Sequence, residues 1–390
     1  MHLENLSELY NERINLSLQD DYFGEGFFLK NENDDYIQLN IPLDHNTIRK
    51  NETTHPYKPE DYEVCFLLKK NIKEIEIHPL QYKIGENYSN IGFLIPIISL
   101  ESNNHPFADD EYFSIYSYIA IIESLKAFPT SGCLEKFEFD NQIKNLSDCL
   151  HPDIAICVIW KKNIPDFSYY KMSHFFFENG YVRLTNRPPE DLVYFTPETP
   201  EDSIQGNQID SSEPLKIKFL SEHITEPHLV DKILFSRFPY EKNPPFKFFL
   251  LYQIIELMMG YILKNEYKLI LRQITENQDD YSKSRDILEK LQDTSSEKKR
   301  IKLLLNVYSS TIDEIEELKI NAHSYVLKAI DSSIGDDKDC FEYFYRIRNF
   351  IVHNLMSIED INDEDLEKVT GSFINVIPSL LCNFKNRNLA

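Results

Sequence analysis

The stretch "YRIRNFIVHN", Tyr345 to Asn354, places an arginine, an asparagine and a histidine among residues that otherwise suit a helix core. Each helical residue advances about 100°, so Tyr345, Asn349 and His353 share one face and Phe344, Arg348 and Val352 the next one round. A guanidinium offers a phosphate a planar, permanently charged fork and can stabilise the added negative charge of a pentacoordinate transition state. An imidazole exchanges protons near neutral pH, taking one from a ribose 2′-OH or giving one to a leaving 5′ oxygen. Together these groups suit phosphodiester cleavage in RNA without a metal. The substrate's own 2′-OH would be the nucleophile, so DNA would not be cut.

The geometry adds a condition. Asn349 is placed to touch the imidazole one turn later and fix its ring, whereas Arg348 and His353 point about 140° apart on a regular helix. One copy of the helix is poorly placed to clamp one small group; a second copy, from a partner chain, improves the arrangement. Tyr345 lies on the Asn349–His353 stripe as a supporting residue. Arg346 is placed to touch an RNA backbone, and a surface ion pair is the competing reading.

A bare arginine and histidine at this spacing is cheap in a chain with 11 histidines. A looser match recurs from Arg49 to His55, in the polar "RKNETTHPYKPE", where a proline and a loop context make coincidence the better reading. The C-terminal match is fuller, R-N-x-x-x-H, on a helix late in a helical series.

The elements that must position it follow from periodicity. From Pro244 onward helical signals dominate, over Phe246–Thr275, Tyr281–Thr294, Ser296–Ser309, Thr311–Asp331, Asp337–Asn354 and Asp360–Phe384, separated by turn or cap material such as "TENQDD" and "SSIGDDKD". Six helices on short loops predict an antiparallel bundle. From Asp20 to about Leu220 the runs "GFFLKNENDDYIQLNIPL", "YEVCFLLKK", "KEIEIHPLQYKIG", "NIGFLIPIISL" and "DIAICVIWKK" favour strands, with one helix in "DDEYFSIYSYIAIIESLKAF". Thr185 to Glu213, rich in Pro, acid and Ser, reads as a loop. The expected class is α+β: a β-rich, mainly antiparallel domain over residues 1–230, then an all-α domain over 231–390.

"RNFIVH", Arg348 to His353, resembles the R-[polar]-x-x-x-H signature of the HEPN superfamily, the higher eukaryotes and prokaryotes nucleotide-binding domains. The resemblance covers roughly residues 235–385. It implies a bundle of about four to six helices and a metal-independent endoribonuclease with no cofactor, with Arg348, Asn349 and His353 in the catalytic positions. It also implies a homodimer with a composite site between two motif helices. "FFLLYQIIELMMGYIL", Phe248 to Leu263, resembles the first helix of many such domains, with Glu256 as the acidic residue supporting the site; a Glu paired to a basic residue or facing solvent is the bland alternative. A β-rich region ahead of such a domain resembles Apea-like anti-phage proteins. The implied setting is bacterial defence or abortive infection, with RNA as substrate and a phage-derived trigger or an antitoxin as possible partner. Other members are catalytically silent, so a nucleotide- or protein-binding module is the second expectation.

Charge bears on this. The net charge of −23 argues against a surface that grips nucleic acid everywhere. Residues 245–390 carry only −5 of it and the first 244 residues −18, so RNA contact fits the C-terminal part. The N-terminus lacks the pattern of a secretory signal, the apolar run Phe248–Leu263 is shorter than a membrane span and contains Gln253 and Glu256, and a cytoplasmic protein with no membrane contact is expected. The six cysteines, Cys65, Cys133, Cys149, Cys157, Cys340 and Cys382, form no C-x-x-C pair and suggest neither a disulfide framework nor a zinc site. His323 lies on the preceding helix and reads as structural. The acidic run Glu359 to Lys368 reads as solvated, with Asp360 or Asp363 opening the last helix.

Overall fold

The structure is a computed structural model that describes residues 15–21, 24–30, 36–42, 58–126, 143–162, 164, 166–183, 213–277, 280–309, 315–336, 338–354 and 363–386. Arg49 and His55, most of the 185–213 segment, Cys133 and Asp360 lie outside them. The chain contains both helices and a mixed sheet, an α+β protein. It divides into two compact units, Met1–Tyr169 with Asn179–Ile217, and Tyr170–Glu178 with Lys218–Ala390.

In the first unit, strands β1 (Asn15–Asp21), β2 (Gly24–Lys30) and β3 (Tyr36–Leu39) form an antiparallel meander. The larger sheet holds β4 (Tyr62–Leu68), β5 (His78–Ile84) and β6 (Asn87–Pro96). Helix α1 (Glu111–Lys126) follows; then β7 (Ile143–Lys144) joins β3 in parallel, and a short α2 (Leu146–Cys149) leads to β8 (Ile154–Trp160). With β9 (Val182–Arg183) and β10 (Leu215–Lys216) the larger sheet runs β10-β5-β6-β8-β4-β9, antiparallel except for the β10–β5 pair. The apolar "IAICVIW" of β8 is the inner strand its composition demands, buried along almost its whole length. Asp110 caps α1 through Oδ1, which accepts from the Tyr112 and Phe113 amides at 2.8 and 2.9 Å. The helix then packs Phe113, Tyr116, Ile119 and Ile122 into the core shared with Phe93, Ile95, Ile156 and Val158.

Two expected strand runs are shorter than their composition suggests. "KEIEI" closes a turn instead, Glu76 N donating to Lys73 O at 3.0 Å, and the strand starts at His78. "IISLE" winds into a 3₁₀ turn, Ile97–Glu101, because Pro96 has no amide to continue the ladder.

Gly92 sits where β6 pairs with β8, opposite Ile159. A Cβ there would lie 2.1 Å from the Val158 carbonyl oxygen, a backbone atom that cannot swing away. Gly92→Ala is therefore expected to destabilise the first unit by at least about 1–3 kcal/mol, the usual cost of overpacking. Denaturation followed by fluorescence of Trp160, the chain's single tryptophan and part of β8, reads this directly; an unshifted midpoint would contradict it.

The second unit is helical: α3 (Ser173–Glu178), α4 (Pro227–Ser236), α5 (Pro244–Glu276), α6 (Tyr281–Thr294), α7 (Glu297–Leu303), α8 (Ile315–Ala329), α9 (Cys340–His353) and α10 (Asp363–Asn383). Asn243 caps α5, accepting from the Phe246 amide, and prolines fill the first turn, where missing amides cost nothing. At 33 residues α5 is long and apolar enough to cross a membrane by length and composition, beyond what its longest apolar run suggests. Its apolar side, including Phe248, Leu251, Ile255, Met258 and Ile262, is buried within the bundle, and Glu266 is buried too, accepting from the Tyr308 hydroxyl at 2.7 Å.

Helix α5 packs against α10, and α8 packs against both α9 and α10. An aromatic cluster fastens α5 to α9 and α10: Phe344 lies 5.0 Å from Phe248, 5.6 Å from Tyr252 and 4.4 Å from Phe373, centroid to centroid. Helix α7 ends in a π turn, Leu304–Tyr308, which brings Tyr308 under Phe384.

Candidate active site

Arg348 stands one helical turn after Phe344, so the aromatic cluster that fixes α9 also fixes the root of its guanidinium. Two other helices flank it. Nη2 lies 3.6 Å from Glu256 Oε1 on α5, and Nε lies 3.5 Å from Glu297 Oε1 at the start of α7. The guanidinium carbon sits 5.8 Å from the centre of the Tyr252 ring, and the Tyr252 hydroxyl donates to Glu297 Oε1 at 2.5 Å. Burial, with Glu297 alongside, pushes that phenol far above its ordinary range, so it remains a donor. Nη1 donates to Asn349 Oδ1 at 3.1 Å. Nε itself is buried without a hydrogen bond: Glu297 supplies charge at that distance but not the geometry.

Asn349 therefore serves Arg348 rather than the imidazole one turn on. His353 is the last residue of α9 and exposed, and among the described residues it makes no hydrogen bond or ion pair. Beyond it Asn354 ends the helix, its backbone amide and Nδ2 both donating to Phe350 O. Tyr345 is half-buried on the stripe of Asn349 and His353. Arg346 is committed to protein, Nη1 to Asp331 Oδ2 at 2.9 Å and Nε to Glu342 Oε1 at 3.3 Å; this is the ion-pair reading. Glu256 is exposed and paired to the motif arginine, so it meets both halves of the bland alternative while standing beside the residue it is expected to support. Tyr252 and Glu297 were missed by sequence reasoning. Tyr252 had a signal, four residues before Glu256 on the same face; Glu297 had none, since only the tertiary fold brings α7 to α9.

His323 packs its ring 5.0 Å from that of Tyr343, a structural role joining α8 to α9. His174 Nε2 and Cys382 Sγ lie 3.1 Å apart, a pair invisible in sequence across 208 residues. Burial holds that imidazole down to about 3 and the thiol up to about 11, so the pair is neutral and offers no thiolate. Cys65, Cys157, Cys340 and Cys382 are free thiols. Asp363 opens α10, while Asp365 pairs with Lys328 at 2.8 Å and with Lys368. Among the described residues no group of three or more His, Cys, Asp or Glu is arranged to hold a metal ion.

The acids around α9 predict a pH response. Lys298 and Arg346 hold Glu342 below the usual carboxylate range, hydrogen bonds from Ser333 and then Arg346 do so for Asp331, and Lys328 does so for Asp365. A depressed folded pKa contributes stability that is complete above the unfolded value and is lost as pH falls through the folded one. Helical signal at 222 nm is therefore expected to become easier to denature below about pH 4 and to be insensitive to these groups from pH 6 to 8. A stability flat down to pH 2 would contradict that clasp.

No family model matches the chain, and no curated protein or solved structure matches it.

Proposed function

We propose that the second unit is a metal-independent endoribonuclease of the HEPN type. The single observation that supports it most is the joint placement of Arg348, Asn349 and Glu256 around one guanidinium at the bundle surface, with His353 exposed on the same helix. Arg348 would take the scissile phosphate, Asn349 and Glu256 would hold its plane, and His353 would exchange the proton with the 2′-OH or the leaving 5′ oxygen. Products would carry 2′,3′-cyclic phosphate and 5′-OH ends. The 140° between Arg348 and His353 leads us to a homodimer in which motif helices from two chains complete each site. The first unit would restrain or trigger the cut in a cytoplasmic defence or growth-arrest system, answering a phage-derived signal or an antitoxin.

The test is incubation of purified chain with RNA in EDTA, with product ends mapped. Cleavage that needs Mg²⁺, or that leaves 3′-hydroxyl ends, would sink the mechanism.

A second reading, a bundle that binds a nucleotide or protein without cutting, draws on the ion pairs of Arg348 with Glu256 and Glu297, since a phosphate must compete with both. A purely structural role for the motif predicts Arg348 paired and His353 buried. Only the first of these holds. The competition gives a further expectation. Glu297→Gln keeps an acceptor for Tyr252 but removes the charge, and a partly exposed pair is worth up to about 1 kcal/mol. RNA affinity in EDTA, read by fluorescence anisotropy, should rise by about two- to fivefold; weaker binding would mean that Glu297 organises the arginine instead of competing for it.

A further inference from the structure

The Arg348 guanidinium is balanced in charge yet barely hydrogen-bonded. Asn349 Oδ1 takes Nη1, which leaves the Nε–Nη2 edge as the planar fork that suits a phosphate. Two carboxylates stand before that edge, Glu297 Oε1 at 3.5 Å from Nε and Glu256 Oε1 at 3.6 Å from Nη2. Both are farther off than the roughly 2.7–2.9 Å of a charge-assisted hydrogen bond. Nε is buried and makes no hydrogen bond at all. A buried donor this close to a carboxylate ordinarily closes on it, because an unmade bond in the interior is costly. Here the carboxylate is held back.

The restraint comes from α5. Glu297 Oε1, the oxygen that faces Nε, is the same one that accepts from the Tyr252 hydroxyl at 2.5 Å. Tyr252 is completely buried, and its ring is stacked against Phe344 at 5.6 Å and Phe248 at 6.2 Å, so the hydroxyl cannot follow Glu297 toward the arginine. Burial pushes the phenol upward, which keeps its proton in place as the donor. The same ring lies 5.8 Å from the guanidinium carbon, so one side chain supports the cation through its face and restrains the neighbouring carboxylate through its hydroxyl.

We propose that Tyr252 is a positioning residue whose hydroxyl holds Glu297 off Arg348, keeping the arginine fork open for the substrate phosphate. The role in catalysis rests on the ribonuclease reading, and the test separates the two. Tyr252→Phe keeps the ring and removes only the hydroxyl, which frees Glu297 to close on Nε. RNA affinity of the full chain in EDTA, read by fluorescence anisotropy, is then expected to fall about three- to tenfold. In a Glu297→Gln background no carboxylate remains to close, and the same substitution should change affinity by less than about twofold. A tyrosine that merely packs would weaken binding alike in both backgrounds. A second measurement needs no RNA. In chain labelled with ¹⁵N-arginine, the Arg348 Nε–H signal, assigned by its loss in Arg348→Lys, should move downfield in Tyr252→Phe and return when Glu297→Gln is added. Equal losses of affinity in the two backgrounds, or an Nε–H signal that Tyr252→Phe does not move, would overturn the proposal. A signal that moves as expected in a chain that binds no RNA would uphold the restraint on Glu297 and refute Arg348 as a phosphate ligand.

Discussion

His353→Ala is expected to lower RNA cleavage by at least about 100-fold, the lower end of what a positioned general acid or base contributes, with little change in RNA affinity or in the thermal melt. The separation is sharp because of where the residue sits. His353 is the exposed last residue of α9, with no hydrogen bond or ion pair among the described residues, so removing the imidazole leaves nothing buried without a partner. Arg348 is the contrasting case. Arg348→Ala would leave Glu256 and Glu297 facing each other without their cation, and lost stability would be confounded with lost chemistry. Arg348→Lys is the better probe: it keeps the charge and forfeits the fork that reaches Asn349 and a phosphate together. Cleavage should fall by at least about tenfold for the lysine variant, and the salt dependence of binding should stay nearly constant, because the number of phosphate contacts is unchanged. If both variants cut like wild type in EDTA, cleavage does not run through Arg348 and His353 and the proposed mechanism fails; if wild type itself does not cut, the non-catalytic bundle takes its place.

Much of this arrangement was legible in the chain, and the parts that were not share a physical cause. Helix α6 was bounded at Tyr281 and Thr294 because Asp280 is a strong cap and caps are local chemistry. The inner strand β8 declared itself through an unbroken apolar run. The strand of His78 did not, because "KEIEI" alternates as a strand should and yet spends its backbone bonds on a turn. Similarly, the stripe Tyr345, Asn349, His353 was correct as helical geometry, but helical geometry alone could not say that Asn349 would turn to Arg348. That choice depends on Glu256, Glu297 and Tyr252 crowding the other guanidinium nitrogens, and Glu297 arrives from 51 residues upstream. The same limit hid residues 170–178, which belong with the helical unit through His174 against Cys382 and the Leu220 amide on Lys171 O at 2.7 Å.

The helical unit should itself fail when the aromatic cluster under Arg348 is emptied. Phe344→Ala is expected to cost about 3–5 kcal/mol, the usual range for truncating a buried phenylalanine, because Phe248, Tyr252 and Phe373 are stacked and edge-packed around it on two other helices and cannot all collapse inward. The loss should be confined to one unit. Trp160 belongs to β8 in the first unit, whereas most helical signal at 222 nm comes from the second, so urea denaturation should show the two probes separating, with the 222 nm midpoint falling and the fluorescence midpoint holding. Phe344→Leu, which keeps most of the volume, should recover most of that loss. Activity sharpens the comparison. If the cluster acts by holding Arg348 and Tyr252 in place, Phe344→Leu should be well folded yet impaired in RNA cleavage, with binding less affected than turnover. Coincident midpoints would show that the two units unfold as one, and full activity in the leucine variant would mean that Arg348 is positioned by its ion pairs alone.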